Sequence, residues 1–196
     1  EEVQRARSYQ LYRLLPLDFM EISTGLGLEN YTKEGVEKAV NNYWTCVDRL
    51  AKEKADHIIF SSAPISAMLT RPRVRELLRE TKEKTGIDAD APLEALLAAL
   101  NHLGLTKLAV GSRWADPVNN AIKRYLEAGG IDVVGMTKRN QWASDSFAMT
   151  MEQGLEMALD VGRPAFTNMS PKVWDDLVRP GIIPPVQGWG RLLAGA

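Results

Sequence analysis

The chain is short of cysteine, histidine, surplus positive charge and long apolar runs, and each shortage removes a class of function. Cys46 is its one cysteine, so no internal disulfide forms and a reducing, cytoplasmic setting is expected. His57 and His102 are its only histidines. With Cys46 alone to help them, no His/Cys metal site is expected. Lys and Arg number 24 against 25 Asp and Glu, a net charge of −1. That leaves no basic excess to neutralise phosphates, so no nucleic-acid partner is expected. No apolar stretch approaches the roughly 18 residues of a membrane-spanning helix, and the opening EEVQRAR has none of the character of a signal peptide. What remains is a 196-residue chain with 45% hydrophobic and 25% charged residues, ordinary for a soluble globular protein of one domain or two small ones.

Hydrophobic periodicity alternates between strand and helix. FMEIST (Phe19 to Thr24) reads as a strand ending in the glycine turn GLGL, after which Thr32 caps one long helix from Lys33 to about Lys54. HIIFSSAP reads as a strand buried on both faces, followed by a helix from Arg73 to Thr85, the extended GIDADA, and a helix from Pro92 to Leu103. A strand at Leu108 to Val110, a helix, the strand IDVVGM, a helix from about Ser146 to Val161, the strand PAFTN and the helix VWDDLVRP complete the alternation, with an irregular tail IPPVQGWGRLL. Such an order predicts parallel sheets joined by right-handed crossovers.

The segment TKLAVGSRWADPVNNAIKRYLEAGG, from Thr106 to Gly130, carries the sharpest chemical signal. A strand ends in the small residues Gly111 and Ser112, turns through Arg113 and Trp114, and enters a helix with Asp116 expected as N-cap and Pro117 as the first helical residue. Backbone N–H groups and the positive end of the helix dipole then face one spot, which suits a carboxylate. The competing reading is a well-made turn and cap with nothing bound.

The layout also repeats. GIDADAPLEALLAALNHLG from Gly86 and GRPAFTNMSPKVWDDLVRPG from Gly162 share a plan of extended piece, amphipathic helix and closing glycine. Before Gly162 the second copy lacks a strand and a helix that the first copy has. A missing strand–helix segment near Gly162 is therefore expected, and a strand preceding Glu1. The expected division is 1–91 with 172–196 as one α/β half and 92–171 as the other.

The order GLGL-x-x-x-T-x-E-G, a buried strand ending in small residues, S-x-W-x-x-x-VN, PAFTN-x(5)-W and GWGRLL resembles the aspartate/glutamate racemase superfamily, nearest its arylmalonate decarboxylase and maleate isomerase branches. The resemblance covers nearly the whole chain and rests on order and spacing more than on any one motif. It implies two pseudo-symmetric flavodoxin-like halves with parallel sheets, an active-site cleft between them, and no metal or organic cofactor. It also implies up to two catalytic cysteines, one at the end of each half's third strand. Arylmalonate decarboxylases keep the second and have a small residue in the first place. Here the first place falls on Ala63 and the second in the segment missing near Gly162. Where the superfamily has carboxylate-binding hydroxyl residues this chain has Pro64 and Ile65, and Trp114 stands where Tyr is common.

On this resemblance the substrate-binding candidates are Ser62, Ala63, Ser112, Trp114, Thr167 and Asn168, with Leu28, Tyr31 and Val36 lining an apolar pocket. Each has a plainer alternative. Ser61 and Ser62 cap a strand end, Thr167 and Asn168 bond within their own turn, and Leu28 and Tyr31 pack on the surface. Asn119 is expected to anchor its loop, and Cys46, Trp44 and Trp174 to be core residues. Trp142 and Trp189 are candidates to cover the cleft. GLGLEN is not a dinucleotide fingerprint, because the third glycine would fall on Asn30.

The functional expectation is a cofactor-independent carbon–carbon lyase that decarboxylates a malonate-like or aryl-substituted acid through an enediolate. Its partner would be a small carboxylic acid, and the chain a monomer or homo-oligomer. An isomerase or racemase of small dicarboxylic acids is the first alternative, opposed by Ala63, since two-base chemistry needs an ionisable group on each face. A carboxylate-binding protein without catalysis is the second.

Overall fold

The computed structural model describes residues 14–16, 18–140, 153, 169–188 and 191–195. The expected helix from Ser146, the strand PAFTN, Trp142, Trp189 and the break near Gly162 lie outside the described residues. Helices α1 (Lys33–Asn41) and α2 (Tyr43–Lys52) lead into strand β1 (His57–Ile59), then α3 (Ala63–Leu69), α4 (Arg71–Thr85), β2 (Asp88–Asp90) and α5 (Pro92–His102). The second set is β3 (Lys107–Val110), α6 (Asp116–Glu127) and β4 (Asp132–Met136). Helix α7 (Met169–Val173), a π-helical turn (Trp174–Val178) and α8 (Arg191–Ala194) follow. None of the described helices is long and apolar enough to cross a membrane.

Strands β1 and β2 pair in parallel, Ile58 opposite Ala89, and β3 and β4 pair in parallel in a second sheet, Leu108 opposite Val133. Two parallel β–helix–β units side by side are the expected α/β architecture. In the second sheet the register skips one residue after Val133, so that Ala109 faces Gly135. The skipped Val134 is turned out and is 61% exposed. One hydrophobic cluster runs through both sheets, from Val36, Val47 and Phe60 to Leu97, Tyr125 and Val133. Helix α3 is the seam, packing on α6 of the second unit.

Phe19 to Thr24 forms no strand: neither described sheet extends beyond two strands to receive it, and Met20 and Ile22 are exposed. The long helix expected from Lys33 divides at Asn42, whose side-chain amide donates to the Leu26 carbonyl at 2.9 Å. An asparagine has low helix propensity and competes for backbone groups, so the break ties the GLGL turn down. Strand β1 stops at Ile59, and Ser62 caps the unforeseen helix α3, its Oγ accepting from Ile65 N at 3.4 Å. The last helix is α-helical only to Val173 and then widens, Arg179 N–H reaching the Trp174 carbonyl at 2.7 Å. The tail, expected to be irregular, holds the short α8. Thr32 does cap α1, its Oγ1 accepting from Gly35 N at 3.1 Å.

Candidate functional site

Ser62, Ala63, Ser112 and Trp114 lie where parallel strands end and helices begin, the side of an α/β sheet on which ligands bind. From β3 the chain passes through Gly111–Trp114 and enters α6. Ala115 is the N-cap, with Asp116 and Pro117 at the first two helical positions and no side-chain cap. The start is thus one residue earlier than the sequence suggested. Asp116 is free of capping duty and instead accepts from Lys138 Nζ at 2.6 Å. Helix geometry leaves the N–H groups of Asp116 and Val118 without intrahelical acceptors, and Pro117 has none to offer.

The turn is held by Asn119, as expected. Its Nδ2 donates to the Trp114 carbonyl at 2.9 Å and its Oδ1 accepts from the Ser112 hydroxyl. Those two bonds together fix which end of the amide points where. Ser112 Oγ also accepts from Trp114 N–H at 3.2 Å, and Ser112 N–H donates to Thr137 Oγ1 at 3.2 Å. Ser112 and Asn119 are 5% and 3% exposed. The Ser112 hydroxyl therefore spends its one hydrogen inside the turn and braces it, so anion donors must come from the backbone of the helix start. Thr137 and Lys138, just past β4, escaped the sequence reading because their partners are 25 and 22 residues away; no local pattern marks such contacts.

Trp114 is buried and meets Tyr31 edge-on, ring centroids 5.0 Å apart at 71°, an attractive geometry for aromatic rings. The Arg113 guanidinium lies over the same indole, 4.9 Å from its centroid. Tyr31 and the half-buried Leu28 pack on the common core that includes Val36 and Trp114. Residues more than eighty positions apart in sequence are thereby joined at one turn. Tyr31 is aimed there by a close approach beside it. A Cβ on Gly35 would sit 2.4 Å from both the carbonyl oxygen and Oδ1 of Asn30, so only glycine lets that loop settle on the first turn of α1.

The first half contributes less. Ser62 is engaged as a cap and Ala63 opens α3. Pro64 and Ile65, in the superfamily's carboxylate-binding places, are buried, and Ile65 belongs to the core at 2% exposure. Cys46 is buried in α2, its Sγ 3.5 Å from the Gly25 carbonyl and 3.6 Å from Thr24 Oγ1. It stabilises the glycine turn from below. Thr167 and Asn168 lie outside the described residues. Two concavities occur elsewhere: one lined by Glu29, Asn30, Thr32, Glu34, Gly35 and Lys38, too acidic for an anion, and an apolar one between Leu14–Pro16 and Ile183–Gln187.

Comparison with known proteins bears on the family and the fold. The family model described as arylmalonate decarboxylase matches residues 7–165. The arylmalonate decarboxylase of Bordetella bronchiseptica is 27% identical over 114 residues, which is 58% of this chain and 47% of that protein, so the alignment spans about half the relative's length. The structure of unliganded arylmalonate decarboxylase superposes with a TM-score of 0.72 at 21% identity, covering 94% of this chain and 92% of that one. Nocardia farcinica maleate cis-trans isomerase, as a mutant with a covalently bound succinylcysteine intermediate, gives a TM-score of 0.85 at 18% identity, covering 100% of this chain and 94% of that one. At those identities the two structures establish the α/β fold with parallel strands, with which two pseudo-symmetric halves are consistent. The family model covers most of the chain, which therefore belongs to the arylmalonate decarboxylase family.

Proposed function

We propose that the chain is a cofactor-independent lyase that takes a malonate-like acid into the cleft between its halves, 1–91 with 172–196 on one side and 92–171 on the other. The observation that carries this reading is the Tyr31–Trp114 contact at the braced N-terminal turn of α6. It joins an apolar wall to a helix start that favours negative charge. One carboxylate of the substrate sits at the helix start, with Arg113 adding positive potential and Lys138 offsetting the Asp116 carboxylate beside it. The other lies against Leu28 and Tyr31, where loss of water favours release of carbon dioxide. The bond between that carboxylate and the α-carbon breaks, and its electron pair passes into the retained carboxylate as an enediolate held by the N–H groups of the α6 start. Thr167 and Asn168 are assigned to the same oxygens. A proton then returns to the α-carbon. Ala63 has no ionisable group and Cys46 is engaged beneath Thr24 and Gly25, so the donor is assigned to the segment expected to be missing near Gly162.

Carbon dioxide release from phenylmalonate and methylmalonate tests this. Turnover of at least one, reduced at least tenfold in Trp114→Ala, is expected; no release from either by a folded protein contradicts it. A second reading, carboxylate binding without catalysis, is favoured by the burial of Pro64 and Ile65 and by Ala63 in a cysteine position. It predicts a rise in melting temperature with phenylmalonate and no consumption of it.

A further inference from the structure

Three aspartates meet where the C-terminal segment lies against the first sheet. Asp90 ends β2, and Asp175 and Asp176 sit side by side in the π-helical turn. That turn's widened bonding pattern lets both consecutive residues face inward, at 9% and 5% exposure. Asp90 and the two turn aspartates lie close enough for each carboxyl to act on its neighbours' charge. Asp176 Oδ2 is buried and has no hydrogen-bond partner among the described residues. Two ionised carboxylates have no hydrogen between them to share, so this orphaned oxygen gains a donor only when its neighbour is protonated. Nor is the group a metal site: among the described residues, no cluster of His, Cys, Asp or Glu is arranged to hold one.

We propose that Asp90 and the Asp175–Asp176 turn share one proton, and that this pairing is a pH-sensitive latch holding the C-terminal segment on sheet β1–β2. The groups around it compensate the charge only in part, and His102 on α5 stacks on Trp174, ring centroids 4.7 Å apart. His57 on β1 lies 3.3 Å from Asp176 Oδ1 but off the hydrogen-bond axis. Arg179 pairs with Asp175 at 2.6 Å from the solvent side. Tyr125 on α6 faces the cluster but donates to Glu94 on α5, itself bound to Arg71 on α4. Asp88 is turned away to Lys82. Burial and the neighbouring aspartates push the Asp90 carboxyl up to about 8, and burial with the adjacent Asp176 raises Asp175 against the opposing pull of Arg179 and of its contact with Asp90. Released, the segment would uncover Val173, Trp174 and Leu193, which pack with Leu14 and with Ala99 on α5.

The sign follows from proton counting. The docked state binds one proton more than the released state from the ordinary carboxylate range up to about 8. Docking is therefore strongest in acid and is lost as pH rises through that window, by up to about tenfold in the opening equilibrium per pH unit. Amide hydrogen exchange of the whole chain, corrected for intrinsic rates, reads this directly. Protection in 171–183 should fall by up to about tenfold per unit between pH 5 and 8 and then level off, while α6 stays unchanged. Asp90→Asn supplies a permanent N–H donor and should remain protected without the slope; if it does not fold, Asp176→Asn serves the same purpose. A flat wild-type profile, a slope that persists in the variant, or an equal slope in α6 would overturn the latch.

Discussion

Replacing Asn119 with leucine is expected to lower the unfolding free energy by about 2–4 kcal/mol, because the change deletes two buried hydrogen bonds and strands their partners. The Ser112 hydroxyl loses its acceptor and the Trp114 carbonyl its donor, both inside a turn that excludes water. In a chain of this size that corresponds to a fall of roughly 4–16 °C in melting temperature. The functional loss should be larger than the stability loss implies. Without the brace, Trp114 no longer presents its edge to Tyr31, and the helix start no longer faces the apolar wall. Calorimetry below the variant's melting point, with phenylmalonate as titrant, should find affinity at least tenfold weaker. A variant as stable as the parent would mean that the turn is held by something other than Asn119.

The second large effect is expected at Glu94, which ties three helices together. Its carboxylate accepts from Arg71 Nε at 2.7 Å, from Arg71 Nη2 at 3.2 Å and from the Tyr125 hydroxyl at 2.9 Å. Arg71 also donates to the Ala128 carbonyl at the end of α6. The Arg71 and Glu94 side chains are only 24% and 16% exposed, so truncation leaves a shielded guanidinium and phenol without their acceptor. Burial and the adjacent carboxylate raise the Tyr125 phenol far above its usual range, which keeps it neutral and donating at every working pH. Glu94→Ala should cost about 2–3 kcal/mol, less than for a fully buried pair because both side chains keep some contact with water. Tyr125→Phe, which removes one neutral donor and leaves Glu94 paired to Arg71, should cost only about 1 kcal/mol. Denaturant unfolding of the two variants checks that ratio. Equal losses would place the stabilisation in the phenol contact instead of the ion pair.

Local rules carried the sequence reading furthest where one residue acts on its near neighbours. Thr32 as the cap of α1, Pro92 at the start of α5 and the alternation of strand and helix all follow from contacts within a turn or two. The reading failed where distant groups decide. Phe19 to Thr24 has strand composition, yet a strand exists only with a partner. Asn42 breaks a helix because Leu26 offers a carbonyl. The aspartates of VWDDLVRP look like the solvated face of an ordinary helix, whereas the π-helical turn buries them against Asp90. In the candidate site, Ser112, Trp114, Tyr31 and Asn119 were all legible as residues, but the hydroxyl's role was not. A serine at a strand end offers a hydrogen to a substrate or to an asparagine seven positions on with equal ease, and only the folded turn shows that Asn119 takes it.

The central claim is that a carboxylate binds at the start of α6 beside Tyr31 and Trp114. Its most direct test is a titration of the 15N-labelled chain with phenylmalonate, followed by the backbone amides of Asp116 and Val118 and the indole N–H of Trp114. Saturable shifts centred on those three signals, with the amides of α4 unmoved, are the predicted result. Shifts absent from the α6 start, or centred instead on Ser62 to Ile65, would contradict the account.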